Sequence, residues 1–181
     1  MNLPNLITIA RILLVPLTVW LIISEAFGLA FLAFVVAGIS DGIDGAIARR
    51  YGLRTELGAY LDPFADKALL VSIYVSLGML NFLPAWLVIL VVTRDILIVS
   101  GVILSRLLDK PLLMAPLMIS KVNTAAQIVF AGAVLGVLQL GIDIEPFLTF
   151  GMILVAGLTA ASGALYLRQW LRHMANGGKA G

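Results

Sequence analysis

Residues 40–67 read SDGIDGAIARRYGLRTELGAYLDPFADK, and four aspartates in this stretch, Asp41, Asp44, Asp62 and Asp66, set the terms for the whole chain. Asp41 and Asp44 are spaced i, i+3, and Asp62 and Asp66 are spaced i, i+4. Each pair therefore shares a face if its segment is helical. Gly45 and Gly58 flank the gap between the pairs, so two helices can approach closely there. Four carboxylates gathered in an apolar setting repel one another and lose hydration. They stay ionised together only if cations neutralise them.

The rest of the chain supplies that apolar setting. Of 181 residues, 61% are hydrophobic and only 12% are charged, and the mean hydropathy is +1.08. A soluble domain carries about a quarter charged residues, so this composition predicts a membrane protein. There is room for about six spanning helices of about 20 residues each. No hydrophilic stretch is long enough to fold separately, which predicts one transmembrane domain over residues 1–173 and a flexible tail over 174–181. Cysteine is absent and His173 is the one histidine. Thiolate and imidazole metal clusters are thereby excluded, and a metal here is oxygen-ligated: magnesium, manganese or calcium.

Six spans are expected, over residues 1–24, 26–48, 56–80, 85–108, 116–140 and 147–171. The first looks superficially like a signal peptide. It lacks a basic leading region and a small-residue cleavage site, and similar segments follow, so it reads as a retained span. The loops around Glu25, Asn81 and Asp143 hold no Lys or Arg. The loops around Arg49 and Arg106, and the end with Arg168, Arg172 and Lys179, hold the basic residues. The positive-inside rule then puts both termini in the cytoplasm. The fold class expected is an all-α integral membrane protein with six transmembrane helices.

At about 1.5 Å per residue, Asp41 and Asp66 each lie roughly 22 Å from the outer ends of their helices. In a hydrocarbon core about 30 Å thick, both aspartate pairs fall in the cytoplasmic third. Arg11 and Lys121 come out at a comparable level on the first and fifth spans. Ionisable residues at such depth are functional candidates by default. Arg49, Arg50, Arg54, Arg106 and Lys110 can instead snorkel to the interface. Two divalent ions about 4 Å apart, held by such acids, can activate an attacking oxygen and stabilise a leaving phosphate. A small cation transporter or channel is the rival class. Against it, the polar groups cluster in one leaflet and no acids line the outer half.

The motif Asp41-x-x-Asp44-Gly45-x-x-Ala48-Arg49, then eight residues, then Gly58-x-x-x-Asp62-x-x-x-Asp66, resembles the signature of the CDP-alcohol phosphatidyltransferases at every defined position. That family transfers a phosphatidyl or phosphoalcohol group from a CDP-linked donor to an alcohol and releases CMP. The resemblance implies Mg2+ or Mn2+, as two ions ligated by Asp41, Asp44, Asp62 and Asp66. Asp66 would ligate with the other three or act as the catalytic base that takes the acceptor's hydroxyl proton. Gly45, Ala48 and Gly58, with Asp41 and Arg49, would form the CDP site, where larger side chains would collide with the nucleotide. A homodimer is also implied, and no nucleic-acid partner.

Outside the signature, Asn2 to Arg11, Thr93-Arg94-Asp95, Ile119 to Gln127 and Leu158 to Ser162 look like the CMP-forming cardiolipin synthases of bacteria and mitochondria. The acceptor expected is phosphatidylglycerol and the donor CDP-diacylglycerol, at a site facing the cytoplasm of a bacterial inner membrane. Phosphatidylglycerophosphate synthases, which use glycerol 3-phosphate, share the opening and a related Lys-x-x-Thr segment, and are the alternative. Arg11, Lys121, Asn123 and Thr124 are expected to bind acceptor phosphate, because a cation at this depth needs an anionic partner. Arg94 lies near mid-bilayer. Adjacent helical residues point about 100° apart, so Arg94 and Asp95 are expected to pair with neighbouring helices and not with each other. Helix packing is the role expected for the small residues from Ala131 to Gly136 and from Ala156 to Ala164.

Overall fold

A computed structural model describes the backbone of residues 3–51, 56–108, 118–142 and 145–175, and the side chains of 10–40, 67–105, 107–108, 118–142 and 145–175. Among the described residues the chain is all helical. It comprises α1 (Leu3–Ile23), α2 (Phe27–Tyr51), α3 (Glu56–Met79), α4 (Ala85–Leu107), α5 (Met118–Leu140) and α6 (Glu145–Ala175). A helix satisfies its own backbone hydrogen bonds, which makes it a permitted form in lipid. Three of these helices are long and apolar enough to cross a membrane, over Ala85–Ser105, Met118–Leu140 and Glu145–Ala175. In α1, α2 and α3 the described apolar stretches are Ala10–Ile23, Phe27–Ser40 and Lys67–Met79.

Helix ends follow local chemistry. After α1, Glu25 adopts the left-handed conformation at φ 57°. There the Ala26 N–H donates to Leu21 O at 2.9 Å and the Glu25 N–H to Ile22 O at 3.0 Å. This paired closure recurs after α3. Asn81 has φ 62°, the Phe82 N–H reaches Leu77 O at 2.9 Å, and the Asn81 N–H reaches Gly78 O at 3.1 Å. Both are Schellman caps. Gly141 closes α5 with φ 61° and a single bond to Val137 O. The sixth helix starts two residues earlier than expected, at Glu145. An acid in the first turn favours the helix dipole, and Pro146 has no N–H to leave orphaned.

The chain forms two compact units. The first comprises residues 1–83 and 131–144. In it α1 packs against both α2 and α3. Ile22, Ala30, Ala37, Ile73, Tyr74 and Leu77 are buried. Phe27 and Phe82 meet edge to face with ring centroids 5.3 Å apart, a favoured aromatic geometry. It joins the residue opening α2 to the turn that closes α3.

The second unit comprises residues 84–130 and 145–181. Here α4 packs on α6. Trp170 donates from Nε1 to Gly101 O at 3.1 Å and to Ser105 Oγ at 3.0 Å, while Tyr166 Oη donates to Ile98 O at 3.1 Å. Gly101 has a packing reason to be small, since a Cβ there would come within 2.8 Å of Tyr166 Oη. Large apolar side chains such as Leu13, Trp20, Leu29, Ile89, Ile96, Phe147 and Ile153 are exposed. That is the pattern of a surface solvated by lipid tails. Hydroxyls bond back to the preceding turn, as in Thr18 to Leu14 O, Ser105 to Gly101 O and Thr124 to Ser120 O, which satisfies them without water.

Candidate functional site

The aspartate motif falls on two helices of the first unit. Asp41, Asp44, Gly45, Ala48 and Arg49 lie in α2, and Gly58, Asp62 and Asp66 lie in α3. The helical spacing expected of each pair therefore holds along the backbone. The side chains of these eight residues lie outside the described residues. What can be placed is the element between them: α1 packs against both motif-bearing helices. It carries Arg11, buried at 2% exposure. A guanidinium this far from water needs anionic or polar company, and Arg11 stands in the unit that contains all four aspartates.

The remaining candidates, Lys121, Asn123 and Thr124, open α5 in the second unit. They do not share one environment. Lys121 is exposed and Thr124 half-buried, whereas Asn123 is 0% exposed. Residues two apart on a helix point about 200° apart, so an exposed Lys121 and a buried Asn123 are the expected geometry.

Asn123 belongs to a polar seam in which Ser120, Gln127, Thr159 and Ser162 had no individual role assigned from sequence. Thr159 Oγ1 donates to Asn123 Oδ1 at 2.9 Å, and Gln127 Nε2 donates to Thr159 Oγ1 at 3.1 Å. One turn away, Arg94 Nη2 donates to Ser162 Oγ at 2.8 Å and also to Ser120 Oγ. On α5 the step runs from Ser120 up to Asn123, and on α6 from Ser162 down to Thr159. The two helices are thus antiparallel neighbours in this unit, held in register by polar contacts. The periodicity Ser120, Asn123, Thr124, Gln127 is visible in the sequence as i, i+3, i+4, i+7, and it was the signal available for finding the seam.

Arg94 corrects one expectation. It does bond to the neighbouring helices, but it also pairs with Asp95, Nη1 to Oδ1 at 2.6 Å, with both side chains nearly buried. The Cα–Cβ directions do diverge. Yet the arginine stem is long enough to turn its planar fork across, and away from water a carboxylate beside a guanidinium is strongly favoured. Gly163 packs beside the stem: a Cβ there would lie 3.6 Å from Arg94 Cγ, an ordinary van der Waals contact.

The sequence profile described as CDP-alcohol phosphatidyltransferase matches residues 1–166. The chain belongs to that family, and it is an integral membrane protein. Among its relatives, the human cardiolipin synthase (CMP-forming) is 34% identical, covering 91% of this chain and 60% of the relative. A rice chloroplastic CDP-diacylglycerol–glycerol-3-phosphate 3-phosphatidyltransferase is 35% identical over 92% of this chain and 56% of the relative. The corresponding enzyme of Bacillus subtilis is 35% identical over 74% of this chain and 76% of its own length. The chain spans about 60% or less of the length of the human, rat, rice and fly relatives.

Proposed function

We propose that this protein transfers a phosphatidyl group from CDP-diacylglycerol to phosphatidylglycerol, forming cardiolipin and releasing CMP. The observation that carries the reading is the complete aspartate motif, in a chain whose human, rat and fly relatives are named cardiolipin synthases or probable ones. The free glycerol hydroxyl of phosphatidylglycerol forms a new bond to the phosphorus that bears diacylglycerol. The bond from that phosphorus to the CMP oxygen breaks. Asp66 takes the hydroxyl proton, and CMP departs with the bonding pair.

Asp41, Asp44, Asp62 and Asp66 form an all-carboxylate donor set, which suits Mg2+ or Mn2+. Two such ions would neutralise the acids and the donor's pyrophosphate. Gly45, Ala48 and Gly58 leave space for the cytidine, with Arg49 beside it. Arg11, Lys121, Asn123 and Thr124 remain the candidates for binding the acceptor, each in its own environment. Direct attack is favoured over a covalent enzyme intermediate, because no serine or histidine in the motif stretch is placed by spacing as a nucleophile.

The same reading includes six spans, both termini in the cytoplasm and a site open to that side. It takes residues 1–173 as one catalytic domain with 174–181 as its tail, acting as a homodimer in a bacterial inner membrane. The charge distribution supports the orientation. The rice and Bacillus relatives favour a second reading, in which glycerol 3-phosphate is the acceptor. Mass spectrometry of the products, with purified protein offered both acceptors and CDP-diacylglycerol, tests the choice. Cardiolipin is the expected product; turnover of glycerol 3-phosphate alone overturns it.

A further inference from the structure

Asn123 is fully buried, and its amide nitrogen Nδ2 has no hydrogen-bond partner. Its oxygen is committed to the Thr159 hydroxyl, whose own oxygen accepts from Gln127. A threonine hydroxyl has one proton. Because Gln127 supplies the hydrogen that Thr159 accepts, the proton of Thr159 is free to go to Asn123. In this arrangement the NH2 group of Asn123 is the open end. An unmet buried donor costs about 1–3 kcal/mol, and such groups are rare in folded proteins unless a ligand or water meets them. A leucine at this position would remove that cost.

We propose that Asn123 Nδ2 is a ligand-facing donor for an oxygen of the acceptor head group, and that Thr159 and Gln127 are positioning residues which hold the amide in its donating orientation. The inference rests on the acceptor reading above, and it adds the orienting pair and the atom. A neutral NH2 recognises a phosphodiester or hydroxyl oxygen equally well, and it contributes direction and not charge. A resident water on Nδ2 is the competing occupant.

The test uses the full chain in mixed micelles, comparing Asn123→Leu, Thr159→Val and Thr159→Ser with the unaltered protein. KM for phosphatidylglycerol is measured at saturating CDP-diacylglycerol, and the reverse. Losing one directed hydrogen bond should raise the acceptor KM about five- to tenfold in the first two variants. The donor KM should be unchanged, and Thr159→Ser should restore the acceptor value. An unchanged acceptor KM in either of the first two, or equal shifts for both substrates, overturns the proposal and leaves the amide to water or to helix packing.

A second readout does not depend on turnover. Phosphatidylglycerol added over phosphatidylcholine should raise the melting temperature of the unaltered protein, but not that of Asn123→Leu or Thr159→Val. Equal rises in all three overturn the proposal. If glycerol 3-phosphate proves to be the acceptor, the functional reading fails, and an acceptor-specific KM rise for that substrate still upholds the role of Asn123. Should Asn123→Leu not fold, the Thr159 pair decides.

Discussion

Arg94 and Asp95, neighbours in the chain, are bonded to each other at 2.6 Å inside the second unit, and the same guanidinium reaches Ser120 on α5 and Ser162 on α6. One cation thus ties three helices at a depth where water is scarce. With its donors so engaged, Arg94 is a structural tie and not a free phosphate anchor. A buried pair of this kind is costly to break from one side, since the surviving charge keeps its desolvation cost without its partner. Asp95→Leu should therefore lower stability by about 3–5 kcal/mol. The double variant Arg94→Met with Asp95→Leu should be milder than the single one. Thermal unfolding in detergent of Arg94→Met, Asp95→Leu and the double variant gives the coupling energy, and simple additivity would argue against the pair.

The aspartate motif predicts a dependence on metal and on one proton acceptor. Chelation with EDTA should stop CMP release, and added Mn2+ or Mg2+ should restore it. Asp66→Asn should lower turnover by at least about 100-fold, the usual floor for loss of a general base, while CDP-diacylglycerol still binds. Donor binding measured by isothermal titration, beside a turnover assay, separates the two effects. An active Asp66→Asn protein removes this residue from the base role.

Two glycines should respond differently to alanine. At Gly151 an added Cβ would meet the Phe130 ring at 2.7 and 2.8 Å. A ring in a packed core cannot give way cheaply, so Gly151→Ala should destabilise by about 1–3 kcal/mol. At Gly28 the clash is with the amide end of Gln139, at 2.5 Å. That end can swing aside, and at the second residue of α2 alanine changes helix propensity little. Gly28→Ala should therefore be close to neutral. Melting curves of the two variants side by side check the contrast.

The turns offer a stabilising change. Glu25 sits at φ 57° and Asn81 at φ 62°, in the left-handed region, where a side chain costs about 1–2 kcal/mol and asparagine is better tolerated than most. Glu25→Gly should raise the melting temperature, whereas Asn81→Gly should change it little. A lower melting temperature for Glu25→Gly would mean that its side chain has a role in the turn.

Much of the architecture was legible from residues alone. The helices over 27–51, 56–79, 85–107 and 118–140 fall within three residues of the expected spans, because long apolar runs broken by charged or turn-forming loops leave little choice of ends. The acidic motif was legible for a related reason. Carboxylates at helical spacing in an apolar chain are too costly to be incidental. What sequence could not supply was the partner of each buried polar group. Whether Arg94 turns toward Asp95 depends on rotamers along a flexible stem. Whether Asn123 faces inward while Lys121 faces out depends on which side of α5 meets α6.

The chain by itself therefore determined the helical class, the membrane setting and the acidic signature, since hydropathy and charge act locally along it. Only the tertiary structure decided the α4–α5–α6 polar seam, the Arg94–Asp95 pair and the open donor on Asn123. The seam depends on hydrogen-bond reach between residues 26 to 68 positions apart, which no local pattern encodes, and the pair of neighbours depends on how the packed helices turn the Arg94 stem.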